Sequence, residues 1–123
     1  MVKSVMIVDD SRIMRTVVRK TFDTLKVPCT YLEAGDGEEA LRIAQAQKVD
    51  LILLDWNMPK LSGIEFLKKV RAMDQYKTTP IVMVTSESAR LNVIEAIKEG
   101  ATAYIIKPIS EKVFLDKMSK IIF

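Results

Sequence analysis

The chain predicts a doubly wound α/β fold, five parallel strands with helices packed on both faces. Short apolar runs of strand character alternate five times with stretches of helical period, the pattern of repeated βα units that build a parallel sheet. One run, Leu51-Ile52-Leu53-Leu54, is aliphatic at every position, as a central strand covered on both faces requires. Three runs end in charged groups: Asp9-Asp10 after Val5-Met6-Ile7-Val8, Asp55 after Leu51 to Leu54, and Lys107-Pro108 after Tyr104-Ile105-Ile106. In an open parallel sheet, ligands bind in the crevice outside the carboxyl ends of the strands, so these groups are expected in one cleft.

The elements follow in order. The first strand lies near 4–9, and the helix of about 12–25 after it buries Met14, Val18, Phe22 and Leu25. A second strand near 29–33 and the turn Gly35-Asp36-Gly37 lead to a helix over 37–46 with Ala40, Leu41 and Ala44 inward. The aliphatic strand at 50–54 belongs in the sheet centre. After Lys60-Leu61-Ser62-Gly63, a helix of about 63–73 buries Phe66, Leu67 and Val70, and a loop from Asp74 to Pro80 joins it to a strand near 80–84. The helix of about 88–99 is expected to bury Val93, Ile94 and Ile97. Last come a strand at 103–106 and a helix of about 110–122, capped by Ser110 and burying Phe114, Met118 and Ile121. No linker, repeat or low-complexity segment interrupts the pattern, so residues 1–123 read as one domain.

Composition narrows the function. Hydrophobic residues at 49% and charged residues at 28% are ordinary for a soluble globular domain, and 123 residues bury roughly two thirds of their unfolded surface in one core. No apolar stretch approaches a membrane span, and the first strand is too short for a signal peptide, so a cytoplasmic protein is expected. Cys29 is the only cysteine, which excludes an intrachain disulfide and a cysteine-based zinc site. The absence of histidine excludes imidazole bases and a phosphohistidine carrier. A net charge of +3, with basic residues scattered and no interleaved aromatics, gives nucleic-acid binding little support.

Carboxylates crowded into a cleft repel one another, and a divalent cation relieves that repulsion. Asp9, Asp10 and Asp55 therefore suggest a magnesium site, since magnesium takes one or two carboxylates together with waters and phosphate oxygens. Each residue alone has an ordinary reading: Asp10 or Ser11 as a helix cap, Asp55 in a turn, Thr85 as a cap, Lys107 as a surface lysine. Together, a carboxylate nucleophile, a metal site, a hydroxyl at Thr85 after Ile81-Val82-Met83-Val84 and the ammonium of Lys107 make a phosphoryl-acceptor centre, with Asp55 as acceptor.

In this order over the whole chain, Asp9-Asp10, Asp55, Thr85 and Lys107-Pro108 resemble the two-component response-regulator receiver domains. Asp55-Trp56-Asn57-Met58-Pro59 and Met83-Val84-Thr85-Ser86-Glu87 are similar to the single-domain chemotaxis regulators among them. The resemblance implies a flavodoxin-like (βα)5 sheet in the order 2-1-3-4-5. It implies that a histidine kinase phosphorylates Asp55, and that Asp10, Asp55 and the backbone carbonyl of Asn57 bind Mg2+ with Asp9 acting through water. It also implies that Thr85 and Lys107 contact the phosphoryl group, that Tyr104 is a switch aromatic and that Lys107-Pro108 is cis. Asn57 and Glu87 flank the mouth of the site, where family members tune the lifetime of the acyl phosphate; ordinary loop polarity accounts for them equally well. The chain departs from its enteric relatives at Ser11-Arg12-Ile13 and at Ile109, where those proteins carry aromatics.

Tyr104, Arg90, Val93, Ile106 and Lys117 lie on elements flanking the last strand and could form a partner face, which the resemblance assigns to the flagellar motor switch protein. The plain alternative makes Val93 and Ile106 core-edge residues and Lys117 a solvated charge. A phosphatase is a further expected partner, and a monomer the expected state. Trp56 is either a structural ring or the rim of a kinase-docking surface. A stand-alone relay or phosphate sink without motor contact remains open. Two rival classes fit less well: a flavin carrier needs a phosphate cradle where Asp9-Asp10 would repel the flavin phosphate, and a dehalogenase-like phosphatase carries a second Asp at the position of Asn57.

Overall fold

The computed structural model describes residues 2–123. Five strands, β1 (Ser4–Val8), β2 (Thr30–Ala34), β3 (Leu51–Leu54), β4 (Ile81–Thr85) and β5 (Ala103–Ile106), alternate with five helices, α1 (Arg12–Asp23), α2 (Gly37–Ala46), α3 (Gly63–Arg71), α4 (Arg90–Lys98) and α5 (Glu111–Ile122). All strand pairs are parallel, in the order β2-β1-β3-β4-β5. The fold class and strand order expected from the sequence are those observed.

Successive side chains of a strand point to opposite faces, and here both faces are covered. Met6, Val8, Ile52, Leu54, Ile81, Met83 and Tyr104 join Ala40, Ala44, Phe66, Leu67, Val70 and Ala96 in one core beneath α2, α3 and α4. Val5, Ile7, Leu51, Leu53, Val82, Val84 and Ile105 pack with Val18, Phe22, Phe114 and Met118 beneath α1 and α5. No helix among the described residues is long and apolar enough to cross a membrane.

Some expectations need correction. The helix predicted to run to Leu25 ends at Asp23, because the Thr24 hydroxyl donates to the Thr21 carbonyl at 2.7 Å and Lys26 takes a left-handed φ of 55°. In α4, Ile94 and Ile97 are exposed rather than buried, and Ala96 is the residue turned fully inward with Val93 half-buried beside it. Apolar residues lie on more than one side of this helix, so periodicity alone does not phase it. Its ends do: Asn92 is tied to Glu87 in the first turn, and the Gly100 carbonyl just past the last turn accepts twice from the Arg71 guanidinium, at 2.8 and 3.0 Å.

The expected loop between Asp74 and Pro80 contains a short 3-10 turn, Asp74–Tyr76, which buries Tyr76 completely. The Tyr76 hydroxyl lies 2.7 and 2.8 Å from the carbonyls of Ala44 and Gln47 and accepts the Val49 N–H, pinning this connection to the end of α2. Arg71 holds the other side by donating to the carbonyls of Tyr76 and Thr79. These ties fix β4 in register beside β3, which is what brings Thr85 to the same edge as Asp55.

Candidate functional site

Four strand ends converge at the carboxyl edge of the sheet. At the end of β1, the Asp9 N–H bonds the Ala34 carbonyl at 3.0 Å and continues the ladder to β2. The chain then turns into α1, with Ser11 rather than Asp10 as the N-cap, its hydroxyl accepting the Met14 N–H at 3.2 Å. Asp10 is thereby left exposed with its carboxylate unclaimed by the helix. Asp9 is buried, and both its oxygens are engaged: Oδ1 accepts the Ser11 N–H at 2.9 Å and Oδ2 lies 2.7 Å from Lys107 Nζ.

Asp55 follows β3 directly. Its N–H bonds the Val8 carbonyl at 2.9 Å, its Oδ1 accepts the Trp56 N–H at 2.7 Å, and its Oδ2 is 3.5 Å from Lys107 Nζ. Burial raises the Asp55 carboxyl above the ordinary carboxylate value; the Thr85 hydroxyl and the Lys107 ammonium oppose this, Asp9 adds to it, and the Trp56 N–H opposes it. Thr85 ends β4 and is completely buried, its Oγ1 accepting the Glu87 N–H at 3.2 Å. Lys107 follows β5 with its own N–H on the Thr85 carbonyl at 2.9 Å and a cis bond to Pro108. The ammonium thus sits between two carboxylates and is closer to Asp9 than to the expected acceptor.

The acids are also close enough to share a cation. Carboxylate oxygens from Asp9, Asp10 and Asp55 all lie within 4.8 Å of one another. A set of hard oxygen donors, one of them exposed to solvent, suits magnesium, which keeps several waters. The residues present fit that ion.

Gly63 holds the acceptor loop against α3. Ser62 and Glu65 form a reciprocal cap at the start of the helix, and the Gly63 N–H donates to the Trp56 carbonyl at 2.8 Å. A Cβ at Gly63 would stand 2.0 Å from the Asp55 carbonyl oxygen and 2.8 Å from Trp56 Cα, backbone atoms that have no rotamer to change. Gly63→Ala is therefore expected to destabilise the protein by about 1–3 kcal/mol through overpacking, read as a lower midpoint in urea with an unchanged slope. A variant as stable as wild type would mean that the loop yields freely.

The expected mouth residues meet: Asn57 Nδ2 donates to Glu87 Oε1 at 2.7 Å, and Asn92, which the sequence did not single out, donates to Glu87 Oε2 at 3.1 Å. Tyr104 is buried, and its hydroxyl donates to the Glu87 carbonyl at 2.6 Å. The expected partner face is only partly a surface. Arg90 is exposed and Ile106 is 47% exposed, but Tyr104 is buried, Val93 packs on the core, and Lys117 is no free charge, since its ammonium donates to the Tyr104 carbonyl at 2.7 Å. Leu91, Ile94 and Val113, on α4 and α5, are exposed apolar residues that the sequence reading did not place there. Trp56 packs partly against the core under α2 to α4.

Residues 5–119 match the family described as the response regulator receiver domain. The chain belongs to this family. It is 38% identical over 118 residues to a chemotaxis protein CheY homolog of Campylobacter jejuni, covering 95% of this chain and 90% of that one. The chemotaxis response regulator CheY4 of Vibrio cholerae superimposes with a TM-score of 0.87 at 36% identity, covering 99% and 100% of the two chains. The response regulator Rcp1, solved in a Mn2+-bound form, superimposes with a TM-score of 0.83 at 25% identity over 97% and 91%. The protein is a CheY-like receiver.

For this receiver, the crowded acids predict a response to metal. A cation that binds only the folded state at a hundredfold excess over its dissociation constant adds about 2.7 kcal/mol, and each kcal/mol is worth about 3 °C or more in a domain of this size. Millimolar magnesium is thus expected to raise the melting temperature by several degrees and to change the fluorescence of Trp56, the residue after Asp55. Asp10→Ala should melt no lower than wild type in EDTA, because one repelling charge is gone, and should ignore magnesium. A wild-type melt and fluorescence unmoved by the ion, or an Asp10→Ala variant that responds in full, contradicts the assignment.

Proposed function

We propose that this receiver accepts a phosphoryl group on Asp55 from a histidine kinase, in a reaction that needs Mg2+, and that the adduct raises its affinity for a flagellar motor switch protein. The observation that carries the reading is the convergence of Asp55 with Asp9, Asp10, Thr85 and Lys107 at four neighbouring strand ends. Asp10, Asp55 and the backbone carbonyl of Asn57 would hold the ion, with Asp9 acting through water. When bound, the ion supplies neutralisation of the charge that builds up on the phosphoryl oxygens.

The chain's own residues do the rest. An Asp55 oxygen attacks phosphorus; its lone pair forms the O–P bond as the N–P bond of the donor phosphohistidine breaks, and the leaving imidazole nitrogen keeps that electron pair and takes up a proton from water. Lys107 and the Thr85 hydroxyl then face the phosphoryl oxygens, and stabilisation by such fixed donors and positioning is the main catalytic contribution. Thr85 is bonded through Oγ1 to the Glu87 N–H, and Glu87 holds the Tyr104 hydroxyl through its carbonyl. A hydroxyl drawn toward the adduct therefore shifts the segment that carries both Asn92 and Tyr104 contacts, a local charge event biasing a two-state element. Asn57 and Glu87, bridging the mouth, govern access of the hydrolytic water. Ile106 and Arg90, together with the exposed Leu91, Ile94 and Val113, supply the apolar and basic surface on which a partner docks.

The test is direct. Incubation with acetyl phosphate and magnesium should give a single base- and hydroxylamine-labile adduct, which borohydride reduction and peptide mapping should place on Asp55. A pull-down with motor-switch peptides should favour the phosphorylated or beryllofluoride-bound protein. A modified protein that binds no such peptide but passes its phosphoryl group to a histidine phosphotransfer domain would instead be a relay or sink.

A further inference from the structure

The acid pair is held in place by a residue that lies outside the cleft. Arg15, in the first turn of α1, folds back beneath the β1–α1 turn. Its Nη1 donates to the main-chain carbonyl of Asp9 at 2.6 Å, and its Nε donates to Glu33 Oε1 on β2 at 2.9 Å. The Arg15 side chain is only 16% exposed. Arg19 Nη1 lies 3.6 Å from the other Glu33 oxygen, with its guanidinium over the Tyr31 ring, so the Glu33 carboxylate is itself fixed. The Arg15 guanidinium also lies close to Gly35, whose N–H donates to Glu39 at 2.7 Å.

The carbonyl that Arg15 grips belongs to the peptide joining Asp9 to Asp10. A planar peptide held at its oxygen fixes where the Asp10 N and Cα stand, leaving only rotations within Asp10 itself to place its carboxylate. Asp9 needs no such help, because Ser11 and Lys107 already hold its carboxylate. Asp10 has no described hydrogen bond of its own, so its approach to Asp9 and Asp55 depends on the backbone beneath it.

We propose that Arg15, oriented by Glu33, is a positioning residue that aims Asp10 at the divalent cation; the proposal rests on the reading of the acid cluster as a magnesium site. The sign of the effect separates this role from simple electrostatics. A guanidinium near a cation site repels the cation, so charge alone predicts that removing Arg15 tightens magnesium binding. Positioning predicts the reverse, and groups that orient metal ligands typically account for about 10–100-fold in metal affinity.

Magnesium titrations read by Trp56 fluorescence, paired with thermal melts in EDTA, test this. Arg15→Ala is expected to weaken magnesium about tenfold or more. Arg15→Lys, which keeps the charge but loses the two-pronged fork, should weaken it as well. Glu33→Ala should weaken it in the wild-type background and have no further effect once Arg15 is absent. The loss must appear in affinity while each variant still melts cooperatively in EDTA; Arg15→Lys carries the test if Arg15→Ala does not fold. Magnesium affinity unchanged or tighter in the Arg15 variants overturns the proposal alone. A wild type silent to magnesium in both readouts overturns the cation site and the proposal with it.

Discussion

Asp55→Asn is expected to abolish phosphoryl incorporation from acetyl phosphate and, at the same time, to raise the melting temperature in EDTA. The first effect follows from chemistry, since the amide is no nucleophile toward phosphorus and Asp9, the other carboxylate beside Lys107, is buried with both oxygens engaged by the Ser11 N–H and the Lys107 ammonium. The second follows from linkage. Burial holds the Asp55 carboxyl above its ordinary value, so the fold favours its protonated form relative to the unfolded chain. At neutral pH the folded state bears the cost of keeping it ionised; that cost sets in as pH rises through the unfolded value and is complete above the raised, folded one. Wild type in EDTA should therefore lose stability with rising pH across that window, and Asp55→Asn should lose less. Each kcal/mol released corresponds to roughly 3–5 °C. Lys107 keeps a partner in the variant, because Asp9 is the nearer carboxylate. Equal phosphoryl incorporation in the variant would overturn Asp55 as acceptor, and an unchanged or lower melt in EDTA would show that the buried charge is already compensated.

Lys107→Ala is expected to act in the opposite direction and more strongly. The ammonium lies 2.7 Å from Asp9 and 3.5 Å from Asp55, with the Lys107 and Asp9 side chains only 15% and 5% exposed. Removing one partner of a buried pair strands the other, at a cost of about 3–5 kcal/mol, which in EDTA should lower the melting temperature by about 10 °C or more. Magnesium should restore part of that loss by supplying the missing positive charge. The variant should still accept a phosphoryl group, slowly, yet fail to gain partner affinity from it, because the link between the adduct and the segment after β5 is gone. A melt equal to wild type in EDTA contradicts the role in charge compensation, and a full gain of partner affinity on phosphorylation removes Lys107 from the switch.

The two substitutions together distinguish a site poised by opposed charges from one that is merely polar. If the cluster is as close to imbalance as its geometry implies, deleting a negative charge stabilises it and deleting the positive charge destabilises it. A neutral polar cleft would show neither asymmetry.

By itself the sequence determined the five βα repeats, the buried central strand Leu51 to Leu54 and the strand-end acids with Thr85 and Lys107, because apolar periodicity and the polarity of strand ends are local properties of the chain. The tertiary structure decided what depends on residues far apart in sequence. Ser11, not Asp10, caps α1, which frees Asp10 for the cleft. The phase of α4 was not legible, since apolar residues such as Leu91, Val93, Ile94 and Ile97 are spread around the helix, and contacts to Glu87 and Arg71 turn Ala96 inward while leaving Ile94 and Ile97 in solvent. Lys117 reads as a solvated charge until the fold brings the Tyr104 carbonyl to it. Arg15, on α1, meets its partner Glu33, on β2, only because the β1–β2 pairing sets that strand beside the start of the helix. Hydrogen-bond partners that the sheet register brings together leave no periodicity in the sequence, so they appear only when the chain is folded.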